Sequence, residues 1–242
     1  MMAHVLRDEQ YRVVALDGDA SNPGGLARLM FGVAEGPKPL IDFFGGRAKV
    51  ECPVDNPTSL TRVGDGIPIT EKKMDLAEIP AEYILEQDGI VLLQVGKIEK
   101  SCEGCHGPMS KVTRDFILQG EQVLIIDVEA GIEHFGRGVE QHVDLVLVVA
   151  DPTFESLLIA EKVTRLCREM GKKGVWTIVN KIQSEEMRLF MLDQLKKRDA
   201  VPLGVVRYDA ETAKRALMGI GVGEGHALDD IKIILTGLAE AM

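Results

Sequence analysis

The chain has 242 residues, of which 45% are hydrophobic and 27% are charged, and this composition excludes disordered, fibrous and membrane-spanning proteins. Lys and Arg number 28 against 38 Asp and Glu, and the net charge of −10 argues against a nucleic-acid partner. No secretory signal opens the sequence, no apolar stretch approaches a bilayer span, and four cysteines are too few for a disulfide scaffold. We therefore expect a cytoplasmic protein with no membrane partner.

Short apolar runs alternate with segments of helical period along the chain, which is typical of an α/β protein. The N-terminal residues already have helical spacing, although nothing precedes them that could start a helix. The predicted strands are 12–16, 90–95, 122–127, 145–150, 175–180 and 203–206. The predicted helices are 108–118, 154–170, 185–197, 210–217 and 228–241. This pattern predicts one doubly wound domain over residues 1–242, with a mainly parallel sheet and helices on both faces.

The segment 36–78 differs from the rest because it is rich in proline and glycine and has no sustained period. It predicts a long irregular excursion from the domain. Such an excursion is either a variable surface insertion or a functional segment, because long loops inside compact α/β domains often carry function.

The first candidate site follows the predicted strand at 12–16, which runs into Asp17, Asp19 and Asn22. The carboxyl ends of parallel strands form the edge of the sheet where ligands bind, so these carboxylates could reach a metal-bound nucleotide or orient a water molecule. The same residue types also cap turns. Both interpretations remain open on the spacing alone.

Two further strands also end in polar residues. The apolar run 124–126 ends at Asp127 and is followed by Gly131, which is the geometry of an acid that holds Mg²⁺ through water, although an acid at the end of a strand is also common without that role. The run 175–179 ends in Asn180 and Lys181. The amide of an Asn at that place can pair with the edge of a purine, and the same dipeptide is also typical of a turn.

The order and spacing of these three pieces resemble the SIMIBI class of P-loop NTPases, which includes MinD, ParA and the nitrogenase iron protein. The segment 127–138, Asp-Val-Glu-Ala-Gly-Ile-Glu-His-Phe-Gly-Arg-Gly, looks like the CooC-type ATPases that help to insert nickel into carbon monoxide dehydrogenase. Glu-Gly-Cys at 103–105 and Gly-Val-Val-Arg-Tyr-Asp at 204–209 strengthen the likeness, which covers nearly the whole chain. It implies a homodimeric switch that binds ATP or ADP with Mg²⁺, hydrolyses ATP and assists a client metalloenzyme similar to carbon monoxide dehydrogenase.

The resemblance also implies roles for residues at the first two strand ends. Asp19 would be the acid that positions the attacking water, and Asp17 its neighbour at the strand end. Asn22 would lie in switch I. Asp127 would be the Mg²⁺-associated acid that opens switch II, and Gly131 would approach the γ-phosphate.

Further roles follow for the C-terminal half of the chain. Asn180 would contact adenine, and the loop around Arg207 and Tyr208 would close the base pocket. His134, which lies in the segment similar to switch II, could respond to the nucleotide.

The chain departs from the family pattern at the phosphate-binding loop. That family begins with a strand and a glycine-rich loop that ends in Gly-Lys-Thr-Thr, whose amides hold the phosphates. The Gly-Lys pairs at 96–97 and 171–172 are followed by Ile98 and Lys173, so no segment fits. We therefore expect that Met1 is an internal methionine of a longer protein or that the chain is truncated, with the first strand and loop absent and ATP turnover doubtful.

Two other functions remain as alternatives. A non-catalytic relative could keep the fold and bind a metal or a protein partner, which the missing loop favours. A membrane-positioning ATPase similar to MinD would be expected to end in a basic amphipathic helix, but residues 227–242 contain only Lys232 as a basic residue.

The second departure from the family concerns a metal site. The family carries a Cys-x-Cys at its dimer interface, whereas here Cys102 and Cys105 form Cys-x-x-Cys and the residue after Cys105 is His106. Two such pairs across a twofold axis would offer four thiolates to Ni²⁺ or Zn²⁺. His106 would be a spare ligand of such a site. The alternative is that Cys102 and Cys105 are two ordinary loop thiols.

Overall fold

The computed structural model describes the backbone of residues 1–241 and the side chains of residues 1–239. Its strands are β1 Val13–Asp17, β2 Leu85–Gln87, β3 Ile90–Gln94, β4 Val123–Asp127, β5 Val146–Ala150, β6 Val175–Ile182 and β7 Pro202–Arg207. Its α-helices are α1 Met2–Asp8, α2 Gly25–Phe31, α3 Leu40–Phe43, α4 Gly107–Asp115, α5 Glu133–Gly136, α6 Phe154–Glu169, α7 Glu185–Lys196, α8 Ala210–Leu217 and α9 His226–Ala241. Short 3₁₀ turns occupy Leu76–Glu78, Ala81–Tyr83 and Val139–His142.

The chain divides into two compact units, which are described separately. The β1 unit contains Leu6–His142 and Gly219–Gly221, and the β6 unit contains Met1–Val5, Val143–Met218 and Val222–Met242. Both contain parallel strands with helices between them, so the predicted mainly parallel α/β fold is confirmed. In the described part of the chain, no helix is both long and apolar enough to cross a bilayer.

The sheet of the β1 unit has the strand order β2-β3-β1-β4. All five residues of β1 are buried, as expected for a continuous apolar run at the centre of a parallel sheet. The parallel register aligns Asp17 with Asp127 on β4. The carboxyl ends of β1 and β4 therefore meet at one edge of the sheet with an aspartate on each.

Strand β2 is the one strand that the sequence pattern does not predict. It pairs antiparallel with β3, and Asp88 and Gly89 join the two strands with φ values of 53° and 72°. An Asp-Gly pair favours this tight hairpin because both of its residues accept positive φ.

The segment 36–78 is part of the core of the β1 unit. Leu40 and Ile69 have no exposed surface, and Met74 is only 1% exposed. These side chains pack with residues of β1 and α4 in one hydrophobic cluster. The interpretation of this segment as a variable surface insertion is therefore wrong, because its apolar side chains complete the core.

The β6 unit has the parallel strand order β5-β6-β7. Its core joins Ile178 of β6, Val206 of β7 and Ile231 of α9 with Val5 near the N-terminus. The side chains of Thr153, Ser184 and Asp209 accept a backbone N–H at the starts of α6, α7 and α8, respectively. Such caps satisfy amide groups that have no partner within the helix, so the helices begin where the sequence predicts them.

The predicted apolar stripe on α6 is confirmed for most of its members. Leu157, Ala160, Val163 and Cys167 are buried, whereas Leu158 is 40% exposed. The helix predicted at 108–118 ends earlier, at Asp115, because the chain turns to an extended path in which Leu118 pairs with Met74.

Candidate functional site

An acidic group stands at the carboxyl ends of β1 and β4, formed by Asp17, Asp19 and Asp127. Asp17 is buried, and both of its carboxylate oxygens lie 2.8 Å from the Lys97 ammonium. The backbone N–H of Leu26 also donates to Asp17, and Lys97 donates to the carbonyl oxygen of Asp19 at 2.6 Å. The carboxylate of Asp17 therefore holds the surrounding loops in place, and its oxygens already have partners within the unit.

The acidic group has an unbalanced charge, because among the described residues one cation, Lys97, acts on Asp127 beside the two carboxylates of Asp17 and Asp19. The pKa of Asp127 is raised to about 6, chiefly by burial and then by the charges of Asp17 and Asp19, while Lys97 acts to lower it. A buried carboxyl next to other carboxylates is more easily ionised when a cation arrives. Several carboxylate oxygens close together are also the ligands that Mg²⁺ prefers.

Lys97 is a site residue that sequence reasoning missed. Its partner Asp17 lies 80 residues away, and the sequence presents it only as half of a Gly-Lys pair that fails the phosphate-loop pattern. No local signal indicates that it neutralises a strand-end aspartate.

The loop after β1 is held by local hydrogen bonds. Asp19 accepts from the backbone N–H and the hydroxyl of Ser21 at 2.7 and 2.6 Å, and Asn22 accepts from the N–H groups of Gly24 and Gly25 at 3.1 Å. Both side chains thus do what turn-capping residues do. Their roles toward water and in switch I stay predictions.

The loop after β4 carries Gly131 and leads into α5. Gly131 has a φ of 110°, which an L side chain rarely adopts, and no atom lies within 4 Å of the place where its Cβ would stand. His134 bridges back to this loop, since its Nε2 lies 3.1 Å from the Gly131 carbonyl oxygen and its Nδ1 faces Glu140. The arrangement leaves open space at Gly131.

In the β6 unit, the predicted base-contacting residues lie near the carboxyl ends of β6 and β7. Asn180 donates to Asp151 at 3.0 Å, and the backbone N–H of Tyr208 donates to the Ile182 carbonyl oxygen. Arg207 forms a bidentate pair with Asp230 at 2.8 to 3.1 Å, which raises the pKa of Arg207 through its hydrogen bond. The polar groups of Asn180 and Arg207 therefore already have partners within the unit.

Cys102 and Cys105 lie on a loop, as predicted, and both are exposed. Glu103 fixes this loop, since it accepts from the N–H groups of Glu99 and Lys100 at 3.0 Å and pairs with Arg47.

Cys52, which the motif analysis did not select, lies close to Cys105. The Sγ atoms of Cys52 and Cys105 are 2.6 and 3.3 Å from the place where a Cβ at Gly107 would stand. Both cysteines line an open pocket of about 320 Å³ that also includes Arg47 and Glu103, and Cys102 is not among its lining residues. Glycine is needed at 107 because any side chain would collide with these thiols.

The structure does not place the cysteines in a ready-made metal site. Among the described residues, the one group of three or more potential ligands consists of His106, Glu129 and Glu133. It contains no cysteine, so Cys102 and Cys105 do not form a complete metal site within one chain.

Comparison with known proteins gives relatives that span almost the whole chain. No family model matches it. A protein of Methanocaldococcus jannaschii described as an uncharacterized ATP-binding protein is 34% identical over 98% of this chain and 92% of its own length. The carbon monoxide dehydrogenase accessory protein CooC of Rhodospirillum rubrum is 31% identical over 87% of this chain and 78% of its own length.

Solved structures of low sequence identity share the fold. The cell division ATPase MinD of Pyrococcus furiosus has a TM-score of 0.63 at 15% identity, covering 100% of this chain and 91% of that chain. MinD of Pyrococcus horikoshii, solved with Mg-ADP, has a TM-score of 0.61 at 15% identity, covering 99% and 88%. The α/β architecture of the described chain is therefore the one that these proteins have.

Proposed function

This chain belongs to the CooC-type family of MinD/ParA-like ATP-binding proteins, and from that membership we propose that it is an ATP-dependent switch protein. It binds ATP or ADP with Mg²⁺, hydrolyses ATP as a homodimer, and assists the insertion of nickel into a client metalloenzyme. The reducing cytoplasm is the compartment that suits the exposed thiols of Cys102 and Cys105, which form no disulfide.

One observation carries the nucleotide part of this proposal. The aspartates at the ends of β1 and β4 form a group with more negative than positive charge, and the pKa of Asp127 is raised to about 6 by burial and by its acidic neighbours. A divalent cation would relieve this repulsion, because its positive charge favours the ionised carboxylates.

We assign roles to the β1 unit on this basis. Asp127 assists in holding Mg²⁺, Asp19 orients the attacking water, and Asp17 anchors the site through Lys97. Asn22 belongs to the loop that responds to the nucleotide. Gly131 approaches the γ-phosphate, which is supported by the open space beside its Cα.

The base contacts are assigned to the β6 unit. Asn180 would contact adenine, with Arg207 and Tyr208 beside it. Asn180 and Arg207 are paired with Asp151 and Asp230, so contact with a base would require Asn180 to share or exchange its partner. No residue of this chain is assigned to the phosphate contacts, because its sequence contains no glycine-rich phosphate-binding loop of the kind that the family has.

The test is Mg²⁺-dependent nucleotide binding by the full chain, followed with a fluorescent ATP analogue. We expect Mg²⁺ to increase the affinity for the nucleotide. The substitution Asp127→Asn should reduce this Mg²⁺-dependent increase in affinity by at least about tenfold, since the lost carboxylate is a charge partner of the cation. Asp193→Asn on the exposed surface of α7 is the matched control and leaves binding unchanged. Nucleotide binding that ignores Mg²⁺ would contradict the assignment.

For the metal part, we propose that Cys102 and Cys105 of two copies bind Ni²⁺ or Zn²⁺ through four thiolates. Support comes from their exposure on a fixed loop and from the preference of soft thiolates for these ions. Cys52 beside Cys105 is a candidate additional ligand.

The double substitution Cys102→Ser, Cys105→Ser tests this proposal. We expect it to remove the binding of one Ni²⁺ per dimer and the metal-dependent shift toward dimer in analytical ultracentrifugation. Cys167→Ala, which changes a thiol buried on α6, serves as the control for thiol number. If the double variant binds Ni²⁺ with sulfur ligands as tightly as the parent, the cysteine assignment is wrong.

A second candidate function is a non-catalytic protein that binds a metal or a partner. This second function is favoured by the lack of a phosphate-binding loop motif in the 242-residue sequence. It predicts no ATP binding at millimolar nucleotide together with intact Ni²⁺ binding, and the two measurements above separate it from the ATPase.

A further inference from the structure

The group of His106, Glu129 and Glu133 lies outside the acidic group and outside the cysteine pair. His106 immediately precedes α4, Glu129 follows β4 by two residues, and Glu133 begins α5. One ligand atom of each lies within 4.8 Å of the others. Three segments of the β1 unit therefore bring one imidazole and two carboxylates to a single point.

His106 has an unsatisfied ring nitrogen at this point. Its Nε2 is buried and makes no hydrogen bond within the described residues, although the Glu129 Oε1 lies only 2.9 Å away. A buried polar atom without a hydrogen bond is rare and calls for an explanation such as an ion. A cation between the imidazole and the carboxylate would satisfy both groups.

The two carboxylates differ in exposure, which indicates how an ion would enter. The side chain of Glu129 is 20% exposed, whereas that of Glu133 is 72% exposed and only loosely paired with Arg137 at 3.4 Å. Glu133 therefore faces solvent and can exchange its partner. His106 and Glu129 form the inner part of the group.

We propose that His106, Glu129 and Glu133 form a binding site for a divalent transition metal ion of the Zn²⁺ and Ni²⁺ type. Imidazole nitrogen with carboxylate oxygen suits these ions, whereas Mg²⁺ prefers oxygen ligands alone. The two carboxylates supply two negative charges to match the ion. Three protein ligands leave coordination positions open, as in sites that exchange a ligand.

The position of this site gives it a consequence for the proposed switch. His106 follows Cys105 directly, and Glu129 lies two residues beyond Asp127. An ion held by both would tie the cysteine loop to the loop that follows the acidic group. The metal site itself stands without this coupling and without the ATPase proposal.

The experiment measures Zn²⁺ and Ni²⁺ binding by isothermal titration calorimetry in the full chain with Cys52, Cys102 and Cys105 replaced by Ser. We expect this thiol-substituted chain to bind one equivalent of metal. Adding His106→Gln or Glu129→Gln should weaken binding at least about tenfold, because each removes an inner ligand. Adding Glu133→Gln should weaken it severalfold without touching the core, since this residue is exposed.

His142→Gln, which changes an exposed histidine of the same unit, is the matched control and should leave the affinity unchanged. X-ray absorption of the loaded thiol-substituted chain should show nitrogen and oxygen ligands with one imidazole. The proposal is overturned if this chain, folded by circular dichroism, binds no metal. It is equally overturned if Glu133→Gln and His106→Gln both bind as tightly as the parent. Neither result depends on whether the protein binds ATP.

Discussion

Polar groups stand at the ends of parallel strands in both units, and they differ in how their charges are balanced. In the β6 unit, Asp151 accepts from Asn180 and Lys181, and Asp230 holds Arg207 by a bidentate pair. In the described part of the β1 unit, one cation, Lys97, stands against the three carboxylates of Asp17, Asp19 and Asp127.

This difference indicates that the polar groups at the strand ends of the β1 unit and of the β6 unit have different roles. The polar groups at the ends of β6 and β7 are paired within their unit, whereas the acidic group of the β1 unit has an excess of negative charge that a further cation would balance. The pKa of Asp127, which is raised to about 6 by burial and by its acidic neighbours, reflects this excess. Charge imbalance, rather than the presence of strand-end acids alone, therefore identifies the candidate cation site.

The largest effect should come from removing Lys97, which pairs with Asp17 in the acidic group. Lys97→Met leaves the buried Asp17 without its ion pair, and breaking a buried pair in this way costs about 3 to 5 kcal/mol of unfolding free energy. Lys181→Met removes an exposed pair with Asp151 and should cost at most about 1 kcal/mol. Urea denaturation at pH 7.5 compares the two variants, and equal losses would erase the contrast between the units.

The second effect has the opposite sign. Asp127 has a folded-state pKa above its ordinary 3.8, so the folded protein binds this proton more tightly than the unfolded chain does. Stability from this group is therefore present below about pH 4 and is lost as pH rises to about 6. Asp127→Asn should remove this loss of stability and raise the unfolding free energy at pH 7.5 by about 3 kcal/mol.

A carboxylate of the β6 unit provides the control for Asp127. The pKa of Asp209 is lowered, first by the hydrogen bond from the N–H of Thr212, because this residue caps α8. Asp209→Ala should therefore lower stability at pH 7.5, by about 1 kcal/mol. Thermal melts between pH 4 and 8 measure the stability of both variants. An Asp209→Ala variant more stable than the parent, or an Asp127→Asn variant less stable than the parent at pH 7.5, would contradict this prediction.

A smaller effect tests the close contact between the ends of β1 and β4. A Cβ at Gly18 would stand 2.8 Å from the Asp127 carbonyl oxygen, so Gly18→Ala should push the two strand ends apart at a cost of about 1 to 2 kcal/mol. Gly237→Ala in α9, where a Cβ meets nothing within 4 Å, should instead raise stability slightly, as alanine does in a helix. Chemical denaturation measures the unfolding free energies of both variants. An unfolding free energy of Gly18→Ala equal to that of the parent would show that the strand ends are not in tight contact at this position.

The sequence predicts the parallel strands well for a physical reason. Strands of a parallel sheet are commonly continuous apolar runs, and β1, β3 and β4 have that sequence pattern, with β1 buried at all five residues. Strand β2 escapes prediction because Leu-Glu-Gln is too short to have a period, although Asp88 and Gly89 after it signal a hairpin. The burial of residues in 36–78 cannot be predicted from the sequence, because these residues follow no local repeat and become buried through tertiary contacts.

The candidate site is predictable where chain order determines it. The carboxyl ends of parallel strands share one edge of the sheet, so the sequence places Asp17 and Asp127 at the same edge, whereas their adjacency depends on the strand order that the structure shows. Lys97 and the proximity of Cys52 to Cys105 do not follow, since in each case the partners are brought together over a long sequence separation. The pKa of Asp127 also depends on burial, which the sequence indicates only coarsely.

The most direct test of the central claim, that the acidic group of the β1 unit is completed by a divalent cation, is the titration of Asp127 itself. Carboxyl ¹³C NMR of the full chain, with and without saturating Mg²⁺ and ATP, reports the pKa of this side chain, and Asp127→Asn identifies its resonance. The account predicts a pKa of about 6 without Mg²⁺ and one below about 5 with it. A pKa that does not move on addition of Mg²⁺ and ATP would contradict it.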